Sequence, residues 1–396
     1  MIRSLRIVLC CQQDLQAHPL PAYRFWAEYF RHGLAEAGHT VLECPDCDWA
    51  KGLLPLSVEE RRSWQTETWT RHDDWLRREL ANRPVDLFLG YLFPLQIDPA
   101  AIRAIRDQGV PCVNFFCDNV REFLRVPAEF AAFDLHWVPE YKAGALYRRA
   151  RLPFLTAPMP CWVPPQWRTP NVVEKFAPTF IGTRDGQREA LFAAAIERGL
   201  EVELRGVGWR AADPPPTLPT PPPSRDQRER IARQKAFVRQ HGWLALARKT
   251  ANSWFPRPPP RLDFTAYARP APRDDAYWEI LRNSRVCLGV NRYPSFRHPW
   301  HRPDTYSRLR DLEAPMVGAC YLTEWTEGLD GLYELGSEIE TYRDATELAE
   351  KTRALSFDAA RRASLRERGQ RRALRDHTIG QTINRIAGRL GVAGPH

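Results

Sequence analysis

The 396-residue chain has no apolar run long enough to cross a bilayer as a helix. Its start, Met1-Ile-Arg-Ser-Leu-Arg-Ile-Val-Leu-Cys-Cys11, holds too short an apolar stretch for a secretory leader and reads as a first strand. No zinc-finger, recognition-helix or RNP-like motif accompanies the net charge of +9, so no nucleic-acid partner is expected. The nine cysteines are odd in number and scattered through apolar segments, which suits a reducing cytoplasm rather than a disulfide framework. Cys44-Pro-Asp-Cys47 has no second C-x-x-C to complete a zinc site and reads as a turn after a strand. His298, His301 and Asp304 lie in a loop at weak ligand spacing, so neither a metal site nor a cofactor is expected.

What is present suits a globular protein of two domains. Hydrophobic residues make up 43% of the chain and 14 are Trp, enough for two full cores. The excess positive charge leaves phosphorylated small molecules and anionic membrane surfaces as candidate partners. In the first half, apolar runs (Leu5–Cys11, Thr40–Cys44, Val85–Tyr91, Val110–Phe116, Phe133–Val138, Phe154–Ala157) alternate with helical segments (Pro21–Ala37, about 57–82, Pro99–Gln108, Tyr141–Ala150). That pattern predicts an α/β fold with a parallel sheet covered on both faces, binding ligands at the carboxyl ends of its strands. Polar residues gather at two such ends. Gln12, Gln13 and Asp14 lie near His18, Tyr23 and Arg24 after the first strand, and Cys117, Asp118 and Asn119 follow a later one. Asp118 reads either as a helix cap or as a cleft residue.

A stiff connector, Pro158-Met-Pro-Cys-Trp-Val-Pro-Pro-Gln-Trp-Arg-Thr-Pro170, separates a first domain, 1–160, from a second, 171–396. The second opens as strand, small-residue turn and helix, with Gly182, Arg184 and Arg188 at a helix start suited to a phosphate. Glu201–Arg205 is the next strand, running into Gly206-Val-Gly-Trp209. Residues 211–262 read as an insertion. Within it, Arg225–Thr250 is a basic helical stretch with Ile231, Phe237, Val238, Trp243, Leu244 and Leu246. Such a helix can lie on an anionic membrane or cover its own domain. A strand, Val286–Val290, ends at Asn291-Arg292. Then Arg308-Leu-Arg-Asp-Leu-Glu-Ala-Pro-Met-Val-Gly-Ala-Cys-Tyr-Leu-Thr-Glu324 reads as a short helix bearing Glu313, a turn at Gly318 and a buried strand.

The spacing Arg310-x-x-Glu313-Ala…Gly318, the later Gly336-Ser-Glu-Ile-Glu-Thr-Tyr-Arg-Asp-Ala-Thr-Glu-Leu348 and the tail His377-Thr…Arg385 form an ordered set. It resembles the C-terminal domain of GT-B glycosyltransferases, most closely the CgeB-like (spore maturation protein) family of bacteria, over roughly residues 170–390. The resemblance implies two Rossmann-like domains with parallel sheets facing across a cleft. It implies transfer of a sugar from a nucleotide-sugar donor to a glycan, protein or lipid acceptor, without metal and with retention. Glu313 takes the ribose role. Arg184, Arg188 or Arg310 offsets the diphosphate, Gly206 and Trp209 approach the base, and Gly182, Asn291 and Gly318 complete the donor site. Asp118 and His18 are the candidates for a general base, on their strand-end positions alone. Two departures stand out: no glycine-rich loop follows the first strand, and Thr305 stands eight residues before Glu313, where a glutamate is usual. They leave open a non-catalytic nucleotide-binding partner of another transferase. A cytoplasmic protein, or one peripheral to the inner face of the membrane, is expected.

Overall fold

The structure, a computed structural model, describes residues 3–20, 23–169, 172–210, 227–255, 260 and 262–392. The chain divides into two compact units. In the first, β1 (Arg6–Cys10), β2 (Thr40–Leu42), β3 (Leu87–Gly90), β4 (Cys112–Phe115), β5 (Leu135–Val138) and β6 (Phe154–Thr156) form one parallel sheet in the order β2-β1-β3-β4-β5-β6. Every residue of β3, β4 and β5 is buried, which explains their unbroken apolar character: both faces are covered. The connecting helices are α1 (Arg24–Glu36), α2 (Val58–Asn82), α3 (Pro99–Asp107), α4 (Asn119–Glu122) and α5 (Gly144–Ala150). Local chemistry starts two of them. Ser57 and Glu60 form a reciprocal capping box before α2, and Asp98 caps α3 with Pro99 at its first turn.

The second unit is also a six-stranded parallel sheet. Its strands are β7 (Thr179–Ile181), β8 (Glu203–Arg205), β9 (Ala268–Arg269), β10 (Cys287–Gly289), β11 (Tyr321–Glu324) and β12 (Glu340–Tyr342), ordered β12-β11-β10-β7-β8-β9. The winding direction reverses between β7 and β10, and in such sheets ligands bind beyond the carboxyl ends at that reversal. The helices are α6 (Gly186–Ile196), α7 (Gln227–His241), α8 (Trp243–Trp254), α9 (Asp275–Asn283), α10 (Arg310–Met316), α11 (Ala345–Phe357) and α12 (Ala359–Asp376). Phe180, Phe192, Trp209, Leu288, Leu322 and Tyr342 belong to the core of this unit.

Two expectations change. The single helix predicted over Arg225–Thr250 is two helices, because Gly242 adopts φ +87°, a conformation open to glycine and costly for other residues. Of the expected insertion, residues 211–226, 256–259 and 261 lie outside the described residues, as does the predicted helix start at Pro21. The tail expected in the second domain does not stay there. From His377 onward the chain belongs to the first unit, where α13 (Ile379–Leu390) packs on α1. A Cβ at Gly33 would come within 2.5 Å of Ile379, so the bare glycine surface of α1 is what admits α13.

Candidate functional site

The carboxyl edge of the second sheet is assembled around close backbone approach. Gly182, just past β7, receives the indole N–H of Trp209 on its carbonyl at 2.8 Å and donates its own N–H to Arg205 at 2.7 Å. Gly206 has φ +141°, and a Cβ there would lie 2.3 Å from the Gly182 carbonyl oxygen. Trp209 is buried among Phe180, Phe192 and Phe264. The expected approach of Trp209 to a base is thereby corrected: its ring is core, and its N–H ties two strand ends together.

The helix start expected to hold a phosphate is capped from within the chain. Asp185 accepts from the backbone N–H groups of Gln187 and Arg188 at 2.9 and 3.0 Å, so a carboxylate already occupies the anion position. Arg184 pairs with Glu189 at 2.8 Å and donates to the Gly208 carbonyl. Gly318, with φ +74°, stands at the amino end of β11, where its close neighbour is Gln370; it lies away from the carboxyl edge.

Beyond β10 and β11 a buried polar network holds the edge rigid. Asp311 is fully buried and accepts from the Tyr321 hydroxyl at 2.8 Å, the Thr323 hydroxyl at 2.9 Å, the Arg308 backbone N–H at 3.0 Å and the Asn291 amide at 3.2 Å. Burial nevertheless raises its carboxyl above the ordinary value. Glu324 accepts both backbone N–H groups of Asn291 and Arg292, and the Arg292 guanidinium pairs with it at 2.5 Å. Asn291 is thus a structural strut of this edge, its amide engaged by Asp311, Thr323 and the Glu324 carbonyl.

Against this frame stand three arginines and one glutamate. Arg310 donates to the carbonyl of Ile181, the last residue of β7, at 3.4 Å. Its Nε lies 3.4 Å from Glu313 Oε2, one turn along α10. Glu313 is buried and accepts the hydroxyl of Tyr277 from α9. Arg188 donates to the Thr183 carbonyl at 2.7 Å. Burial, then the charges of Arg308 and Arg310, push its guanidinium down to about 10. Arg308 stacks over Tyr306 at 4.7 Å and donates to the Arg292 carbonyl. Among the described residues no carboxylate lies within ion-pair distance of it. The Nε atoms of Arg188, Arg308 and Arg310 are all buried without a hydrogen-bond partner. Asp185 lies 3.4 Å from the Arg188 Nε, as Glu313 does from that of Arg310, so three buried cations share two carboxylates and an added anion would offset the excess. Of the residues singled out in the sequence, Arg188, Arg310, Asn291 and Glu313 stand at one edge with Gly182. Arg308, Arg292, Tyr277 and Glu324 were missed. The Arg-x-Arg spacing before Glu313 was the available signal for Arg308.

The first unit has its own polar edge. His18 pairs through Nε2 with Asp48 at 2.9 Å. Asp118 occupies the N-cap position of α4 without a side-chain cap bond. His18 follows β1 and Asp118 follows β4, with β3 between those strands. Beside Asp118 lies Glu140, which sequence reading missed. Its Oε2 accepts from the Val120 N–H at 3.3 Å, while its Oε1 is buried without a partner. Burial, then the charge of Asp118, raises its carboxyl to about 8. A perturbed carboxyl at a carboxyl edge marks a functional candidate. The Cys44–Cys47 segment is a turn after β2, as expected, with the two thiol sulfurs 3.1 Å apart. His298 and Asp304 approach to 3.6 Å, but among the described residues no three metal-ligating side chains converge.

Comparison with known proteins bears on the fold. Residues 248–388 match a family model described as glycosyl transferase-like, a span that holds α10 and its arginines. The solved structures similar to the whole chain include sucrose-phosphate synthase from Thermosynechococcus elongatus, with TM-score 0.57, 14% identity and coverage of 99% of this chain and 100% of that one. A glycosyltransferase from Rickettsia africae gives TM-score 0.58 at 8% identity, covering 99% and 100%. The fold is GT-B. Anabaena HepE in complex with UDP-glucose shares the GT-B architecture at TM-score 0.50 and 11% identity, covering 98% and 99%. Comparison of the sequence with curated proteins found no significant match. In GT-B terms the arginine cluster and Glu313 belong to the second Rossmann-like unit, and the Asp118–Glu140 edge to the first.

Proposed function

We propose that this GT-B protein is a glycosyltransferase of the CgeB-like kind, moving a sugar from a nucleotide-sugar donor to a glycan, protein or lipid acceptor. The observation that carries this reading is the convergence of Arg188, Arg308 and Arg310 at the reversal of the second sheet, where only two carboxylates, Asp185 and Glu313, come within ion-pair distance of the three buried guanidinium groups among the described residues. A donor diphosphate supplies the missing acceptors and charge. Glu313 would hold the ribose hydroxyls from its place beside Tyr277. The Anabaena relative solved with UDP-glucose supports the donor class. Catalysis would rest on positioning and on stabilising the leaving diphosphate with fixed cations, the arginines providing the counter-charge. The acceptor would be taken up by the first unit, with Asp118, Glu140 and the His18–Asp48 pair as candidate proton acceptors.

The test is release of nucleoside diphosphate from a panel of UDP-, GDP-, dTDP- and ADP-sugars, with and without EDTA, for wild type and Glu313→Ala. Release from one donor that persists in EDTA and falls in the variant is expected. One observation favours a second reading, a nucleotide-binding partner without turnover. Thr305, where a donor-sugar glutamate is usual, turns its hydroxyl to Thr326 at 2.9 Å. Tight nucleotide binding with no release from any donor, in the presence of candidate acceptors, would favour that reading.

A further inference from the structure

Helix α8 is turned the wrong way for a helix that serves only its own domain. Trp243, Ala247, Ala251 and Trp254 recur at helical spacing along one face, flanked by Leu244 and Phe255, and that face is in solvent. Trp243, Leu244, Trp254 and Phe255 are 76%, 62%, 75% and 78% exposed. The opposite face carries Ala245, Arg248 and Asn252, of which Ala245 is buried and the other two half-buried. A surface helix ordinarily does the reverse. The inward face is held by polar contacts: Arg248 donates to the carbonyls of Phe296 and Arg297, and Arg297 Nε donates to His241 Nδ1 at 3.2 Å. The apolar face is therefore presented by a secured helix.

Charge identifies what would cover it. From Gln227 to Phe255 the α7–α8 hairpin holds seven Lys and Arg against the single carboxylate of Glu229. Lys235, Arg239 and Lys249 are exposed, and Lys249 packs its amine over the Phe237 ring at 4.4 Å. A second copy would bring the same excess of positive charge against itself, which opposes self-pairing through this face. Tryptophan at both ends of an apolar stripe, beside basic side chains, fits the boundary between headgroups and acyl chains.

We infer that the α7–α8 hairpin docks the protein on an anionic lipid bilayer, with the Trp243–Trp254 stripe entering the interface and the flanking cations meeting acidic headgroups. The hairpin is bonded to the segment that leads from Arg292 to Arg308, so a docked protein holds its arginine-lined edge near the membrane surface. The inference stands on the hairpin alone and does not depend on which donor the edge accepts.

The test uses the full chain and sedimentation with vesicles of phosphatidylcholine alone or with about 30% phosphatidylglycerol. Wild type should bind the anionic vesicles with a blue shift of indole emission, and leave the neutral ones in the supernatant. Binding should fall by about tenfold or more in Trp243→Ser/Trp254→Ser/Phe255→Ser, in Lys235→Glu/Arg239→Glu, and on raising salt so that screening shortens from about 10 Å to about 3 Å. Thermal melting equal to wild type confirms that the variants fold. Equal binding to both vesicle types, undiminished binding by the serine variant, or no binding by wild type would overturn the inference. So would a concentration-dependent dimer abolished by the serine variant, which would assign the face to a second copy.

Discussion

The hydroxyl of Tyr277 donates to the carboxylate of Glu313, joining α9 to α10 beside the Arg310–Glu313 ion pair. A ribose at the proposed site would meet a carboxylate already oriented by an aromatic donor and a guanidinium. Glu313→Ala should weaken nucleotide binding by ~1.5–3 kcal/mol, the worth of hydrogen bonds to a charged group. Tyr277→Phe leaves the carboxylate in place and should cost binding no more than about 1 kcal/mol. Titration calorimetry with the nucleoside diphosphate released in the turnover assay measures both. Unchanged affinity in a folded Glu313→Ala protein would remove the ribose role.

Arg308 offers a separate readout. Among the described residues it has no carboxylate partner, so its truncation frees no opposing charge there. Arg308→Ala should weaken nucleoside diphosphate binding by about 1.5–3 kcal/mol and leave binding of the bare nucleoside within about 0.5 kcal/mol. Arg308→Lys should recover only part of the loss, because an ammonium lacks the planar fork. Equal losses for diphosphate and nucleoside would place Arg308 outside the phosphate contacts.

The central strands were legible because they are short apolar runs buried on both faces, whereas the two-residue edge strand β9 offers no such run; Glu313 was legible because its neighbours in sequence are also its neighbours on α10. Other parts depend on contacts that no local pattern announces. Asp185 looks like any residue of a strand–helix turn until its carboxylate is seen on the amides of Gln187 and Arg188. Trp209 follows two glycines at a strand end, as a ligand contact would, yet Phe180, Phe192 and Phe264 enclose it. The return of α13 to the first unit is written in Gly33, which reads as an ordinary helix residue until Ile379 is placed against it. Glu140 was invisible for the same reason: Asp118, which perturbs it, lies on a different strand end.

Gly289 tests the rigidity of the second sheet's carboxyl edge. A Cβ there would lie 2.1 Å from the Tyr321 hydroxyl and 2.4 Å from the Thr323 hydroxyl, the two groups that hold Asp311. Gly289→Ala should destabilise the second unit by about 1–3 kcal/mol, as overpacking does, and the displaced hydroxyls leave a buried carboxylate short of donors. Urea denaturation followed by tryptophan fluorescence checks the loss. Stability equal to wild type would mean that the Asp311 network yields without cost.

Glu140 predicts a pH dependence whose sign is fixed by its burial. Its carboxyl titrates at about 8 in the folded unit, against an ordinary value of 4.5. Between those values the folded state holds a proton that the unfolded chain has lost, so this group makes stability fall as pH rises from about 4.5 to about 8. His72 and His136, each lowered to about 4 by burial, act in the opposite direction: below 6.5 the unfolded chain binds protons that the fold refuses. Comparing Glu140→Gln with wild type cancels the histidines, which both proteins share. The two should be closest in stability near pH 4, where Glu140 is protonated in the fold and largely so in the unfolded chain. Near pH 8.5 the variant should be more stable by about 2–4 kcal/mol, because an amide carries no charge to bury. Asp118→Asn should narrow that gap, since its charge is the second cause of the shift after burial. Chemical denaturation across this pH range decides it: a difference that does not change with pH would show that Glu140 titrates like an ordinary carboxylate.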